Sequence, residues 1–205
     1  RPLGPADQTI EIQAVALDWK WLFIYPDRQI ATVNELTMPA GVPVRFRLTS
    51  GSVMNVFFVP QLGTMIYAMN GMESELNLQA NNIGQLHGQA AHYSGAGFPG
   101  MNFAVHVLPR EEFDRWATRR RNGSGVLNAQ TYQELAVQSH DLAPFSYGQV
   151  QAGLFDAIVH QVLPPSRGPN SGRGGEPEIH PQPLDASICT APVGTSQSTR
   201  LDMSR

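Results

Sequence analysis

Val42-Pro43-Val44-Arg45-Phe46-Arg47-Leu48-Thr49 is the stretch that decides the fold class. Val42, Val44, Phe46 and Leu48 alternate with Pro43, Arg45, Arg47 and Thr49. Successive side chains of a β-strand point to opposite faces, so this period of two describes a strand with one face buried and one face wet. Met101, Phe103, Val105 and Val107 repeat the pattern downstream, with Asn102 and His106 outward, and Ile10 and Ile12 alternate upstream with Glu11 and Gln13. The runs from Trp19 to Tyr25 and from Val53 to Val59 are more continuously apolar, as expected of strands covered on both sides. Pro26-Asp27, Ala40-Gly41, Gly63, Asn70-Gly71, Asn82 to Gly84 and Gly95 to Gly100 punctuate these runs as turns. Many short strands at this spacing give a mainly β sandwich or barrel over residues 8–108.

Beyond residue 109 the spacing becomes helical. Glu111, Glu112 and Asp114 open a segment that closes on Arg119, Arg120 and Arg121, with Asn122-Gly123 just after. Acid at the start, base at the end and Gly beyond suit the helix dipole and a C-terminal cap. Phe113, Trp116 and Ala117 share one face. A second short helix is expected from about Asn128, with Tyr132, Leu135 and Ala136 inward. A third is expected over about Val150–Leu163, with an apolar stripe of Leu154, Phe155, Ile158, Val159 and Val162. Such short helices need a surface to cover, either the β-domain or a partner. Residues 164–205 hold seven Pro, five Gly and six Ser and no aromatic residue, a composition that cannot offset its ordering entropy. The expected organisation is a β-domain over 1–109, a helical extension over 110–163 and a disordered tail over 164–205.

The 205 residues are 41% hydrophobic and 15% charged, with 14 basic against 17 acidic groups and a formal net charge of −3. Lys20 is the only lysine. Nothing here resembles the basic footprint of a nucleic-acid binder. Cys189 is the sole cysteine, which excludes an intrachain disulfide, a CxxC zinc site and a cysteine-ligated cluster. No run of about 18 apolar residues is present, so these residues are not expected to span a membrane as a helix. The chain starts at Arg1 rather than Met, and processing or cutting is expected upstream.

The residues that carry chemistry are few. There is no P-loop, Rossmann fingerprint or GxSxG elbow, and no local signature singles out a nucleophilic Ser. His87 and His92 are five apart in an expected strand and therefore point to opposite faces, one half-exposed and one in a loop. Blue copper needs a Cys, two His and usually a weak axial Met, and Cys189 lies in the tail. Asp18-Trp19-Lys20-Trp21-Leu22-Phe23-Ile24-Tyr25-Pro26 concentrates four aromatic residues. Trp19 and Trp21 would share one face of a strand. Trp21 is expected in the core, and Trp19 either in the core or on a partner surface.

This Trp segment resembles subunit II of the haem–copper terminal oxidases when taken with two further stretches. These are Ser50-Gly-Ser-Val-Met-Asn-Val-Phe-Phe-Val-Pro-Gln-Leu-Gly63, continuing through Ile66-Tyr-Ala-Met-Asn-Gly71, and Gly84-Gln-Leu-His-Gly-Gln-Ala-Ala-His-Tyr-Ser-Gly-Ala-Gly-Phe-Pro-Gly-Met101. The resemblance covers roughly residues 8–108 and implies a cupredoxin-like Greek-key barrel. In the cytochrome c-oxidising branch that domain carries a dinuclear copper centre held by two His, two Cys, a Met and a Glu carbonyl. By position the first His falls on Asn55, the two Cys on Ala90 and Ser94, the second His on Phe98 and the Glu on His92, and only the Met is kept, as Met101. Ala90 has no ligand atom, and a hydroxyl is a poor ligand for soft copper. Met101 then reads as core, in phase with Phe103 and Val105. A position that is often Asp in the copper branch is Tyr67 here.

The resemblance therefore implies the quinol-oxidising branch, the cytochrome bo-type ubiquinol oxidases, and the helical zone resembles the C-terminal extension of that branch. It implies a respiratory complex in which ubiquinol is oxidised, O2 is reduced to water and protons are pumped. Haem and copper would be held by subunit I, two transmembrane helices would precede this domain upstream of Arg1, and the domain would sit on the periplasmic face of the bacterial inner membrane. Its expected role is assembly with subunit I and the other subunits, without cytochrome c docking. No catalytic, cofactor-binding or metal-binding residue is expected in this chain. Two other classes fit less of the sequence: a metal-free cupredoxin serving as a periplasmic binding or scaffold module, and a Met/His copper carrier, for which no dense Met/His tract exists.

Overall fold

The computed structural model describes residues 9–91, 100–123, 125–139 and 141–166. Two sheets face each other. The first runs in the order β12 (Phe145–Tyr147), β3 (Ile30–Val33), β2 (Lys20–Tyr25), β1 (Ile10–Leu17), β5 (Val44–Ser50), β8 (Ser74–Leu78). The second runs β4 (Glu35–Pro39), β10 (Asn102–Leu108), β9 (Gly84–Ala90), β6 (Asn55–Val59), β7 (Thr64–Ala68). β1 pairs with β5 in parallel, as does β4 with β10, and the other pairings within the two sheets are antiparallel. This is the cupredoxin-like sandwich that the resemblance implies.

The alternation at 42–49 places Val44, Phe46 and Leu48 inside, beside Ile10, Ile12 and Ala14 of β1. Arg45 and Arg47 face outward. Arg47 reaches Glu73 at 2.6 Å and Asp156 at 3.0 Å, and its guanidinium lies 5.0 Å from the centre of the Phe155 ring. That cation holds the Glu73 carboxyl below its usual range. The inter-sheet core is built on Trp21, Phe23, Phe57 and Phe103, with ring centres 5.1 Å apart for Phe23–Phe103 and 5.6 Å for the edge-on pair Trp21–Phe57. Gly88 of β9 makes room for this cluster, since a Cβ there would land in the Phe103 ring.

A second core lies on the outer face of the first sheet. Val15 and Leu17 of β1, Leu22 and Ile24 of β2, and Ala31 and Val33 of β3 are covered there by the segment after residue 126. Helices α2 (Ala129–Ala136) and α3 (Leu154–Val159) supply Tyr132, Leu135, Leu154, Phe155 and Ile158. The continuous apolar run of β2 follows directly, because both of its faces are buried. Helix α1 (Arg110–Arg121) instead joins the inter-sheet core, and Trp116 packs 5.2 Å from Tyr25. The surface that these helices cover is therefore the β-domain itself. β12 is hydrogen-bonded to β3, and β11 (Val126–Leu127) pairs in parallel with β13 (Gln149–Val150).

Three expectations need correcting. The third helix is confined to Leu154–Val159: Gly153 enters it at φ 74, and Gln161 at φ 55 breaks it. Val162 consequently leaves the stripe and is 73% exposed. Gln13, expected outward, is buried. Trp19 is not on a strand beside Trp21. It sits in the two-residue turn between the paired residues Leu17 and Lys20, at φ 61, where a bulky residue is uncommon. Residues 92–99, which hold most of the expected turn from Gly95 to Gly100, and the tail beyond Ser166 lie outside the described residues.

Because Leu154 closes the second core, Leu154→Asp is expected to cost about 4 kcal/mol or more by burying an unpaired carboxylate. Urea unfolding of the chain would measure it. A loss below about 1 kcal/mol, the size of a surface substitution, would mean that α3 does not hold the extension down.

Candidate functional site

One end of the sandwich brings together three of the residues that the resemblance places around copper. Asn55 opens β6, Ala90 closes β9 and Met101 precedes β10. All three are buried. Antiparallel pairing sets β9 between β6 and β10, so these strand ends meet. The Asn55 side chain donates from Nδ2 to the Met101 sulfur at 3.1 Å and accepts the Val56 N–H at Oδ1, 2.8 Å away. The Ala90 N–H donates to the Met101 carbonyl at 3.1 Å, and the Ala91 N–H to the Val56 carbonyl at 3.1 Å.

These contacts fix what the site can do. A carboxamide and a thioether are neutral, and each is already used by the other. Ala90 contributes only a methyl group. No group of three or more His, Cys, Asp or Glu able to hold a metal occurs among the described residues. The donor set does not fit a dinuclear copper centre, and the Asn55–Met101 contact ties the two strand ends where ligands would otherwise do so. His92, Ser94 and Phe98 lie outside the described residues. His87 is exposed on β9.

The hairpin beside this end carries features that sequence reasoning missed. Trp19 is only 3% exposed, which removes the partner-surface alternative for it in this chain. Lys20 is buried. Its Nζ donates to the carbonyls of Leu135 at 2.7 Å and Val137 at 2.6 Å, the C-terminal end of α2. The Leu135 carbonyl lies in the last turn, where the helix offers it no partner and carries the negative end of its dipole, and Val137 is the cap residue just beyond. Burial lowers the Lys20 ammonium to about 8, and the Asp18 charge pulls in the opposite direction. Asp18, also buried, accepts hydrogen bonds from the hydroxyls of Ser52 and Ser166, the latter at 2.9 Å. The only sequence signal for these roles was one lysine and one aspartate inside an otherwise apolar and aromatic run.

On the outer face of the second sheet, edge strand β7 shows Met65, 63% exposed, and Tyr67, 50% exposed. No charged residue occurs from Leu48 to Met72, so this corner presents no ionised side chain of its own.

Comparison with known proteins agrees with this geometry. Residues 6–108 match the cytochrome c oxidase subunit II periplasmic domain, and residues 121–166 match the COX aromatic rich motif. Ubiquinol oxidase subunit 2 of Acetobacter aceti is 45% identical over 150 residues, which is 73% of this chain and 48% of that protein. Cytochrome bo(3) ubiquinol oxidase subunit 2 of Pseudomonas putida is 43% identical over 178 residues, 87% of this chain and 55% of that protein. The chain thus spans about half the length of the curated relatives it matches. Among solved structures, the periplasmic domain of subunit II of the cytochrome oxidase of Bradyrhizobium japonicum superposes with a TM-score of 0.54 at 25% identity, over 58% of this chain and 96% of that domain. With the matched domain on half of its length and the aromatic motif behind it, the chain belongs to the cytochrome c oxidase subunit II family.

Proposed function

We propose that this chain is the periplasmic part of subunit II of a cytochrome bo-type ubiquinol oxidase, and that it acts in assembly and structure without a redox centre of its own. The observation that carries the reading is the copper end. Asn55 and Met101 satisfy each other, and Ala90 stands where a thiolate would be needed. An electron relay has no ligand set there, so electrons would come from ubiquinol to haem and copper in subunit I. The whole complex would oxidise ubiquinol, reduce O2 to water and pump protons. The chain would be anchored in the inner membrane by helices upstream of residue 1, with this domain on the periplasmic side. Tyr67, at a position that is often Asp in the copper branch, supports a reading without cytochrome c docking.

Purification of the full-length protein from membranes tests the reading. Haem and subunit I are expected to co-purify, with quinol-dependent O2 consumption. A full-length protein that carries no haem would instead favour a free-standing scaffold module. For the chain alone, loading with Cu(II) followed by desalting is expected to leave far less than one copper per chain. Two retained coppers with a thiolate-to-copper band would overturn the assignment.

A further inference from the structure

We propose that the hairpin turn Leu17–Lys20 is a latch that fastens the helical extension at two points and couples them. Lys20 holds one point, the C-terminal carbonyls of α2. Asp18 holds the other: the Ser166 hydroxyl donates to Asp18 at 2.9 Å, while the Ser166 N–H donates to the Gly51 carbonyl at 2.9 Å. Gly51 is tied in turn to β1, its N–H donating to the Ala16 carbonyl at 2.9 Å. It also has no space for a side chain, since a Cβ would strike the hydroxyl of Tyr132 in α2. Ser166, Gly51, Tyr132, Asp18 and Lys20 therefore form one contact chain from the last described residue to α2. The matched aromatic rich motif ends at the same residue, 166.

The arrangement has a directional consequence. Ser52, the other partner of Asp18, lies in the loop that leads into Asn55. Closing residues 163–166 over the hairpin thus joins the extension to the strand that opens at the copper end. Loss of the Ser166 contacts leaves the buried Asp18 carboxylate one donor short. Where the Ser166 backbone is lost as well, the Gly51 carbonyl beside Tyr132 also loses its donor, although the Gly51 N–H stays on β1. Sites that share partners in this way do not act independently.

Hydrogen exchange of the α2 amides, residues 129–136, provides the test. It would be measured in the 205-residue chain, in its Ser166→Ala variant, and in chains ended after Ser166 and after Leu163. The chain ended after Ser166 is expected to exchange like the full chain. Ser166→Ala and the chain ended after Leu163 are expected to exchange about fivefold or more faster in α2, with the β9 and β10 amides unchanged. Unaltered α2 exchange in both would overturn the latch, as would equal acceleration throughout β9 and β10, which reports general destabilisation. Circular dichroism of each variant confirms that the sandwich is folded before exchange is compared.

Discussion

Phe57→Ala is expected to remove about 3–5 kcal/mol of unfolding free energy, at the upper end of what truncating a single core residue costs. Phe57 is fully buried and meets Trp21, Phe23, Phe46 and Phe103, with the Phe103 ring centre at 5.4 Å. Removing the ring from the centre of a rigid aromatic cluster leaves a cavity that neighbours on two different sheets cannot close. Against a typical domain stability of about 5–15 kcal/mol this is a large share. Asn55→Ala at the copper end deletes the hydrogen bond to sulfur and the one accepted from the Val56 N–H, and is expected to cost only about 1–2 kcal/mol. Urea denaturation of the two variants under identical conditions gives the comparison. A cost for Asn55→Ala that equals that of Phe57→Ala would mean that the copper end, rather than the aromatic core, holds the sandwich together.

Lys20→Met should cost about 2–3 kcal/mol near neutral pH. Methionine keeps most of the stem volume but leaves the Leu135 and Val137 carbonyls without their donor, and each buried unsatisfied group costs about 1–3 kcal/mol. Relief of the buried charge offsets part of this. The pH dependence separates the two effects. Burial brings the folded Lys20 down to about 8, while an unfolded lysine keeps its ordinary value of 10.5. Between these values the unfolded chain binds more protons than the folded one, so the Lys20 contribution rises with pH, by at most about 1.4 kcal/mol per unit. It is lost as pH falls through about 8. Burial raises the titration of Tyr25 and Tyr132, which opposes the trend above about pH 10, where an unfolded tyrosine ionises first. The difference between wild type and Lys20→Met cancels that term, so it is the quantity to follow. A difference that stays flat from about pH 7.5 to 10 would mean that Lys20 titrates alike in both states.

The strand pattern was readable because burial in a sheet repeats every second residue, and Val42–Thr49 keeps that repeat without a break. Trp19 was not readable for the same reason. A turn that contains neither Gly nor Pro looks like two more strand residues, and a period-two extrapolation ran straight through it. Lys20 acquires its meaning only when the end of α2 arrives from more than a hundred residues downstream. No local rule pairs a lysine with carbonyls that distant. The stripe at 154–162 overran because apolar spacing says nothing about the left-handed backbone at Gln161. At the copper end, spacing alone identified nothing. Asn55, Ala90 and Met101 could be grouped only through the resemblance, and the fold then placed them together, with Asn55 hydrogen-bonded to the Met101 sulfur.

The pairing of β12 with β3 bears on how the protein is made. Among the described residues, the outer edge of β3 receives its partner from residues 145–147. That edge therefore stays open at least while about 110 further residues are added, roughly 6 to 20 s at ~5–20 residues per second. Throughout that interval Ile30–Val33 offers unpaired backbone groups to any neighbouring nascent chain. Lengthening this window should therefore lower the yield of folded protein even where the final stability is unchanged.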